Sequence, residues 1–289
     1  MRINMESESN GKVSFSWDMH WQCNFRCPYC WWHGRWEHLS NQNYYPGVEK
    51  LIQVWKRIYQ LYGSANVNIS GGEPMTYPGF FAFLPEITEY HDTVINTNLS
   101  GDVKRMIGVL QGKTARVKFN ATFHPLFADF NQFAQKAKLL SEAKFYTCVT
   151  YLAWPPQIKD IPAYREKFSE IGFRLCVLSF WGEYNGKKYP DSYTEEESEI
   201  ISPNLGKRSG QHYQIKPMIT LGRVCNAGHA YATIHPDGKA LRCGGGSWEK
   251  EDTAVGNIFS DDFKLWDESR PCTSTYCPCN EWAFLLVEK

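Results

Sequence analysis

Three cysteines near the start of the chain, Cys23, Cys27 and Cys30, carry the first chemistry that can be read from the sequence. Their spacing, CxxxCxxC, sets three thiols on one short loop. Soft sulfur ligands select iron–sulfur clusters or zinc, and three thiolates are enough for three corners of a cubane cluster. The fourth iron of such a cluster would stay open to a substrate or cosubstrate. The same stretch also admits a zinc knuckle, with His33 as the fourth ligand of a Cys3His site. A second group, Cys225, Cys243, Cys272, Cys277 and Cys279, stands near the other end and by itself admits a zinc ribbon. Two of the ten cysteines, Cys148 and Cys176, fall alone inside predicted strands and read as core material. In a reducing compartment, clustered thiols serve metals or catalysis rather than disulfide staples.

The elements that must position these groups follow from hydrophobic periodicity. Strands are predicted at Val13 to Trp17, Val67 to Ser70, Thr93 to Thr97, Arg116 to Thr122, Phe145 to Leu152 and Phe173 to Phe180. Between them lie helical patterns opened by Pro46 and ended by Gly63, then at Phe80 to Tyr90, Val103 to Leu110, Phe130 to Ala143 and Pro162 to Ile171. Six strands alternating with five helices predict an α/β fold, a partial (β/α)6 barrel with parallel strands. Reactive groups in such sheets gather at the C-terminal strand ends. The first cysteine group follows strand one, Gly71-Gly72-Glu73-Pro74 follows strand two, and Asn98 follows strand three. His124, after strand four, and Glu183, after strand six, are candidates for proton exchange with a substrate. Trp154 and Trp181, also at strand ends, are candidate pocket walls.

CxxxCxxC after the first strand, followed by Gly71-Gly72-Glu73-Pro74 after the second, resembles the radical S-adenosylmethionine superfamily. The resemblance covers Val13 to Phe180. It implies that Cys23, Cys27 and Cys30 hold a catalytic 4Fe-4S cluster whose open iron binds S-adenosylmethionine. It further implies that Tyr29 lies near the adenine, that Gly71, Gly72 and Glu73 meet the methionyl amino group, and that Asn98 contacts the ribose. One electron then releases a 5′-deoxyadenosyl radical that abstracts hydrogen from the substrate. An external one-electron donor of flavodoxin or ferredoxin type is implied as a partner.

From Trp181 to Pro217 the pattern breaks into a polar stretch, read as a long connection. Cys225, twelve residues, Gly238, four residues and Cys243 are similar to the start of the SPASM and twitch modules that trail many of these enzymes. A hairpin is predicted at Pro236-Asp237-Gly238. A full SPASM domain carries more cysteines than this tail. The resemblance therefore implies the shorter twitch type, with one auxiliary iron–sulfur cluster, expected as 4Fe-4S, held by four of the five C-terminal cysteines. The expected organisation is a polar tail over 1–11, the partial barrel over 12–205, and the connection with the small cysteine-rich auxiliary-cluster domain over 206–289.

Composition excludes several other classes. Lysine plus arginine number 31 and aspartate plus glutamate 31, so a broadly basic nucleic-acid surface is not indicated. Apolar runs are short, so no membrane partner is expected, and the polar opening residues show no secretory signal. A cytoplasmic location is expected. The leading functional expectation is a radical S-adenosylmethionine oxidoreductase that acts on a small-molecule or carbohydrate-type substrate, with the auxiliary cluster as electron acceptor. Peptide modification is the first alternative, disfavoured by the short stretch ahead of strand one. A non-catalytic zinc or iron–sulfur module is the second.

Overall fold

The computed structural model describes residues 11–33, 35–208, 211–212, 215, 218–244, 253–277 and 281–287. The predicted alternation is present. Strands β1 (Ser14–Asp18), β2 (Asn66–Ser70), β3 (Asp92–Thr97), β4 (Val117–Thr122), β5 (Tyr146–Ala153) and β6 (Leu175–Ser179) pair in parallel in sequence order. Helix α1 (Trp36–Ser40) follows the first cysteine loop. The helices between successive strands are α2 (Val48–Tyr62), α3 (Phe80–Ile87), α4 (Val103–Val109), α5 (Phe130–Glu142) and α6 (Ile161–Glu170).

Alternating strand residues divide the sheet into two faces. Phe15, Trp17, Val67, Ile69, Ile95, Phe119 and Val149 are buried with apolar residues of the helices. Trp17 and Phe15 both pack on Trp55 of α2, at ring-centroid distances of 5.3 and 5.8 Å. The opposite, inner face carries small polar side chains that are half-buried: Ser16, Asn68, Asn96 and Asn120. They form one hydrogen-bonded row. Asn68 Nδ2 donates to Ser16 Oγ (3.1 Å), Asn96 Nδ2 to Asn68 Oδ1 (2.7 Å), and Asn120 Nδ2 to Asn96 Oδ1 (3.1 Å). Polar groups persist here because each finds a partner on the neighbouring strand.

The stretch after β6 differs from the predicted open connection. It holds a hairpin, β7 (Gly182–Tyr184) and β8 (Lys187–Tyr189), then α7 (Glu195–Ile201). Asn185 and Gly186 form the turn with φ of 49° and 71°, the left-handed pair that a tight two-residue hairpin requires. A reciprocal pair of hydrogen bonds between Thr194 and Glu197 caps α7. Both signals are written in the sequence, but the polar surroundings hide them from a reading by hydrophobic period.

The C-terminal segment joins the main sheet. It holds the short pairs β9 (Lys207–Arg208) with β10 (Gln211–His212), β11 (Met218–Ile219) with β17 (Tyr276–Cys277), and β12 (Val224–Cys225) with β16 (Arg270–Pro271), and a hairpin of β13 (Tyr231–Ile234) and β14 (Lys239–Leu241), followed by β15 (Ala254–Asn257). β13 lies parallel to β1, Ser14 opposite Tyr231 and Trp17 opposite Ile234, so nine strands form one sheet among the described residues. Helix α2 ties the segment down through Arg57 to Asp261 (2.9 Å) and the Tyr62 hydroxyl, which accepts from Leu265 N–H (2.7 Å). The last described helix is α8 (Trp282–Leu285).

Candidate active site

The loop that leaves β1 is zipped to the loop that leaves β2. Met19 N–H donates to the Ser70 carbonyl (3.1 Å), Gly72 N–H to the His20 carbonyl (2.6 Å), and Glu73 N–H to the Gln22 carbonyl (2.9 Å). His20 Nε2 returns a bond to the Glu73 carbonyl at 3.0 Å. The two glycines make this approach possible. A Cβ on Gly71, whose φ is +115°, would stand 2.4 Å from the His20 carbonyl oxygen, and one on Gly72 would stand 1.6 Å from that of Gln22. Here the glycines hold the start of the cysteine loop against the sheet.

Glu73 is 1% exposed, and its carboxylate turns inward. It accepts from the Thr97 hydroxyl (2.8 Å), Asn98 N–H (2.8 Å) and Met75 N–H (3.1 Å). Burial pushes its pKa up to about 6, and the hydrogen bonds to Asn98, Thr97 and Met75 work against that rise. The carboxylate thus fastens the end of β3 beneath the loop. Asn98 continues the connection upward, its amide nitrogen 3.1 Å from Asn24 Oδ1 and 3.8 Å from Cys23 Sγ. Lys136 of α5 holds the same strand end by donating to the carbonyls of Leu99 and Ser100 at 2.8 and 3.0 Å.

Each of the three thiols has a donor aimed at it. Cys23 Sγ receives Phe25 N–H at 3.4 Å, Cys27 Sγ lies 3.6 Å from His124 Nδ1 and hydrogen bonds with Tyr29, and Cys30 meets the backbone N–H of Trp32. Burial nevertheless pushes Cys27 up to about 12, Cys30 to about 11, and Cys23 in the same direction. Burial thus favours the protonated thiols, and metal binding displaces such protons. Donors directed at sulfur suit thiolates in a cluster, so the residues fit an iron–sulfur group. Among the described residues no three His, Cys, Asp or Glu side chains are close enough to hold a single metal ion, so the assignment stands on these donors and on the fold.

No family model matches the sequence, and no curated protein does. Solved structures do. The chain is similar to anSMEcpe with bound AdoMet, at a TM-score of 0.64 and 17% identity over 86% of this chain and 75% of that one. It is similar to SuiB of Streptococcus suis bound to S-adenosylmethionine, at 0.63 and 16% over 89% of this chain and 66% of that one. The chain has the radical S-adenosylmethionine fold.

Within the radical S-adenosylmethionine fold the remaining predicted residues are scattered. Tyr29, His124 and Trp154 come together beside Cys27: Tyr29 stacks on His124 (5.7 Å, 16°) and tilts against Trp154 (5.3 Å). Burial lowers the His124 pKa to about 4. Trp154 also meets Tyr184 of the β7–β8 hairpin edge-on at 5.3 Å, which extends an aromatic wall along this side of the loop. Glu183 is exposed on that hairpin opposite Lys188, while Trp181 is half-buried and His33 is exposed. Cys225, Cys243, Cys272 and Cys277 line one pocket with Leu285 and Leu286. The fifth C-terminal cysteine, Cys279, lies outside the described residues.

Asp18 is a residue the sequence reading missed. It ends β1 on the inner face, accepts from the Ser70 hydroxyl at 2.7 Å, and is pushed up to about 7 by burial, with the Glu281 carboxylate adding to the rise. The polar alternation Ser14, Ser16, Asp18 across from Asn66, Asn68, Ser70 was the available signal.

Proposed function

We propose that the chain is a radical S-adenosylmethionine enzyme that oxidises a polar substrate. The observation that carries this reading is the three-thiol loop at the C-terminal end of β1, each sulfur met by a hydrogen-bond donor, in a chain with this fold. Cys23, Cys27 and Cys30 would hold a 4Fe-4S cluster that, with S-adenosylmethionine, supplies a 5′-deoxyadenosyl radical for abstraction of hydrogen. Gly71, Gly72 and Glu73 lock the loop to the strand ends, and Tyr29 and Asn98 would border the cosubstrate. Cys225, Cys243, Cys272 and Cys277 would hold one auxiliary cluster as electron acceptor, and they share a pocket. An external one-electron donor and a cytoplasmic setting complete the proposal. No helix among the described residues is long and apolar enough to cross a membrane.

The half-buried hydroxyl and amide row on the inner face supports a hydroxyl-bearing small molecule or carbohydrate as substrate. Peptide modification is the second reading. In its favour, anSMEcpe is seen with the Cp18Cys peptide and SuiB with its precursor peptide SuiA.

Cysteine variants test the assignment of the two sites. Anaerobically reconstituted Cys27→Ser is expected to lose about four of roughly eight irons and all 5′-deoxyadenosine formation, whereas Cys272→Ser loses the other set and still cleaves S-adenosylmethionine. Loss of cleavage from Cys272→Ser, together with retention in Cys27→Ser, would reverse the roles and sink the proposal.

A further inference from the structure

We propose that His124 is a tuning residue: its Nδ1–H donates to the sulfur of Cys27 and raises the reduction potential of the cluster held there. The inference rests on the reading of Cys23, Cys27 and Cys30 as cluster ligands. It assigns His124 to the metal side of the site, in place of proton exchange with a substrate.

The geometry sets Cys27 apart from its two neighbours. Cys23 receives a backbone N–H from Phe25 and lies 3.8 Å from the Asn98 amide, and Cys30 receives a backbone N–H. Cys27 faces two side-chain donors, His124 Nδ1 at 3.6 Å and the Tyr29 hydroxyl. The Tyr29 hydroxyl oxygen also lies 3.2 Å from Nδ1, where with Nδ1 protonated it accepts a share of the same N–H, and the two rings stack. Phe25 closes the other side, edge-on to the imidazole at 6.0 Å. The ring is therefore fixed in direction by aromatic contacts on both sides.

A thiolate can only accept, so with a cluster present the tautomer that satisfies this contact carries its proton on Nδ1. A hydrogen bond into a ligand sulfur withdraws electron density from the cluster and makes the added electron easier to hold. The sequence offers no hint of this, because His124 lies 97 residues from Cys27.

The test is an EPR-monitored redox titration of the anaerobically reconstituted full chain without substrate. The cluster is identified as the one whose signal changes on addition of S-adenosylmethionine. His124→Phe, with iron content equal to wild type, is expected to shift the midpoint downward. At the wild-type midpoint the reduced-to-oxidised ratio should fall roughly tenfold, about 59 mV for one electron. His124→Gln, which keeps an N–H donor, should restore most of the shift. If His124→Phe does not load iron, His124→Met replaces it as the variant without a donor. An unmoved midpoint in the donorless variant, or an equal shift in His124→Gln, overturns the inference while leaving the enzyme reading intact. A wild-type protein that loads no iron overturns both, and its metal analysis shows that the enzyme reading failed first.

Discussion

Asp18 shows how one side chain sets a pH dependence. Its unfolded pKa is near the usual 3.8, and burial lifts the folded value to about 7. A carboxyl whose pKa rises on folding adds stability in its protonated form, and that contribution is lost as pH climbs from about 4 through 7. Above pH 7 the native state carries a half-buried charge with one hydroxyl partner and another carboxylate nearby. Asp18→Asn should therefore be more stable than wild type at pH 8, by about 2 kcal/mol, with the gain disappearing toward pH 4. Urea midpoints of the metal-free chain at the two pH values check this. A gain of the same size at both would contradict it. Asp18 shares the inner sheet surface with Ser16 and Asn68.

The contact between the loops after β1 and β2 is the element on which the site depends. Gly72→Ala forces a methyl into the Gln22 carbonyl, a backbone atom that cannot rotate away, and should cost about 3 kcal/mol. Gly108 is a contrasting case: it is exposed in α4 with open space around its Cα, so Gly108→Ala should stabilise by about 0.5–1 kcal/mol. Denaturant midpoints of the two variants should move in opposite directions. Much at this scale was legible. Strands such as Val117–Thr122 and helices such as Phe130–Glu142 announce themselves by period, and their observed ends fall within a residue or two of those expected. The cysteine loop and the glycine pair were legible by spacing. The inward turn of Glu73, the hold of Lys136 on the end of β3 and the contact of His124 with Cys27 were not, because each joins residues distant in sequence through side-chain geometry. The Asn185-Gly186 hairpin was legible in principle and was obscured by polar flanks.

For the molecule as a whole, the pairing of β13 with β1 is decisive. It makes the C-terminal cysteine segment a continuation of the barrel sheet, with Tyr231 at the base of β13 bonded to Glu281 (2.6 Å) beside the four-cysteine pocket. The first thiol loop leaves β1, and the second group belongs to the segment whose β13 pairs with that strand. Sequence showed the two groups but not this join, since strand pairing across more than 200 residues leaves no local mark. Radical chemistry with S-adenosylmethionine has a direct readout in the cleavage product. The wild-type chain, reconstituted anaerobically with iron and sulfide, is reduced in the presence of S-adenosylmethionine, and 5′-deoxyadenosine is quantified beside metal content. About eight irons per chain and formation of 5′-deoxyadenosine that depends on reductant are expected. Zinc in place of iron, or an iron-loaded protein that leaves S-adenosylmethionine intact, would contradict this expectation.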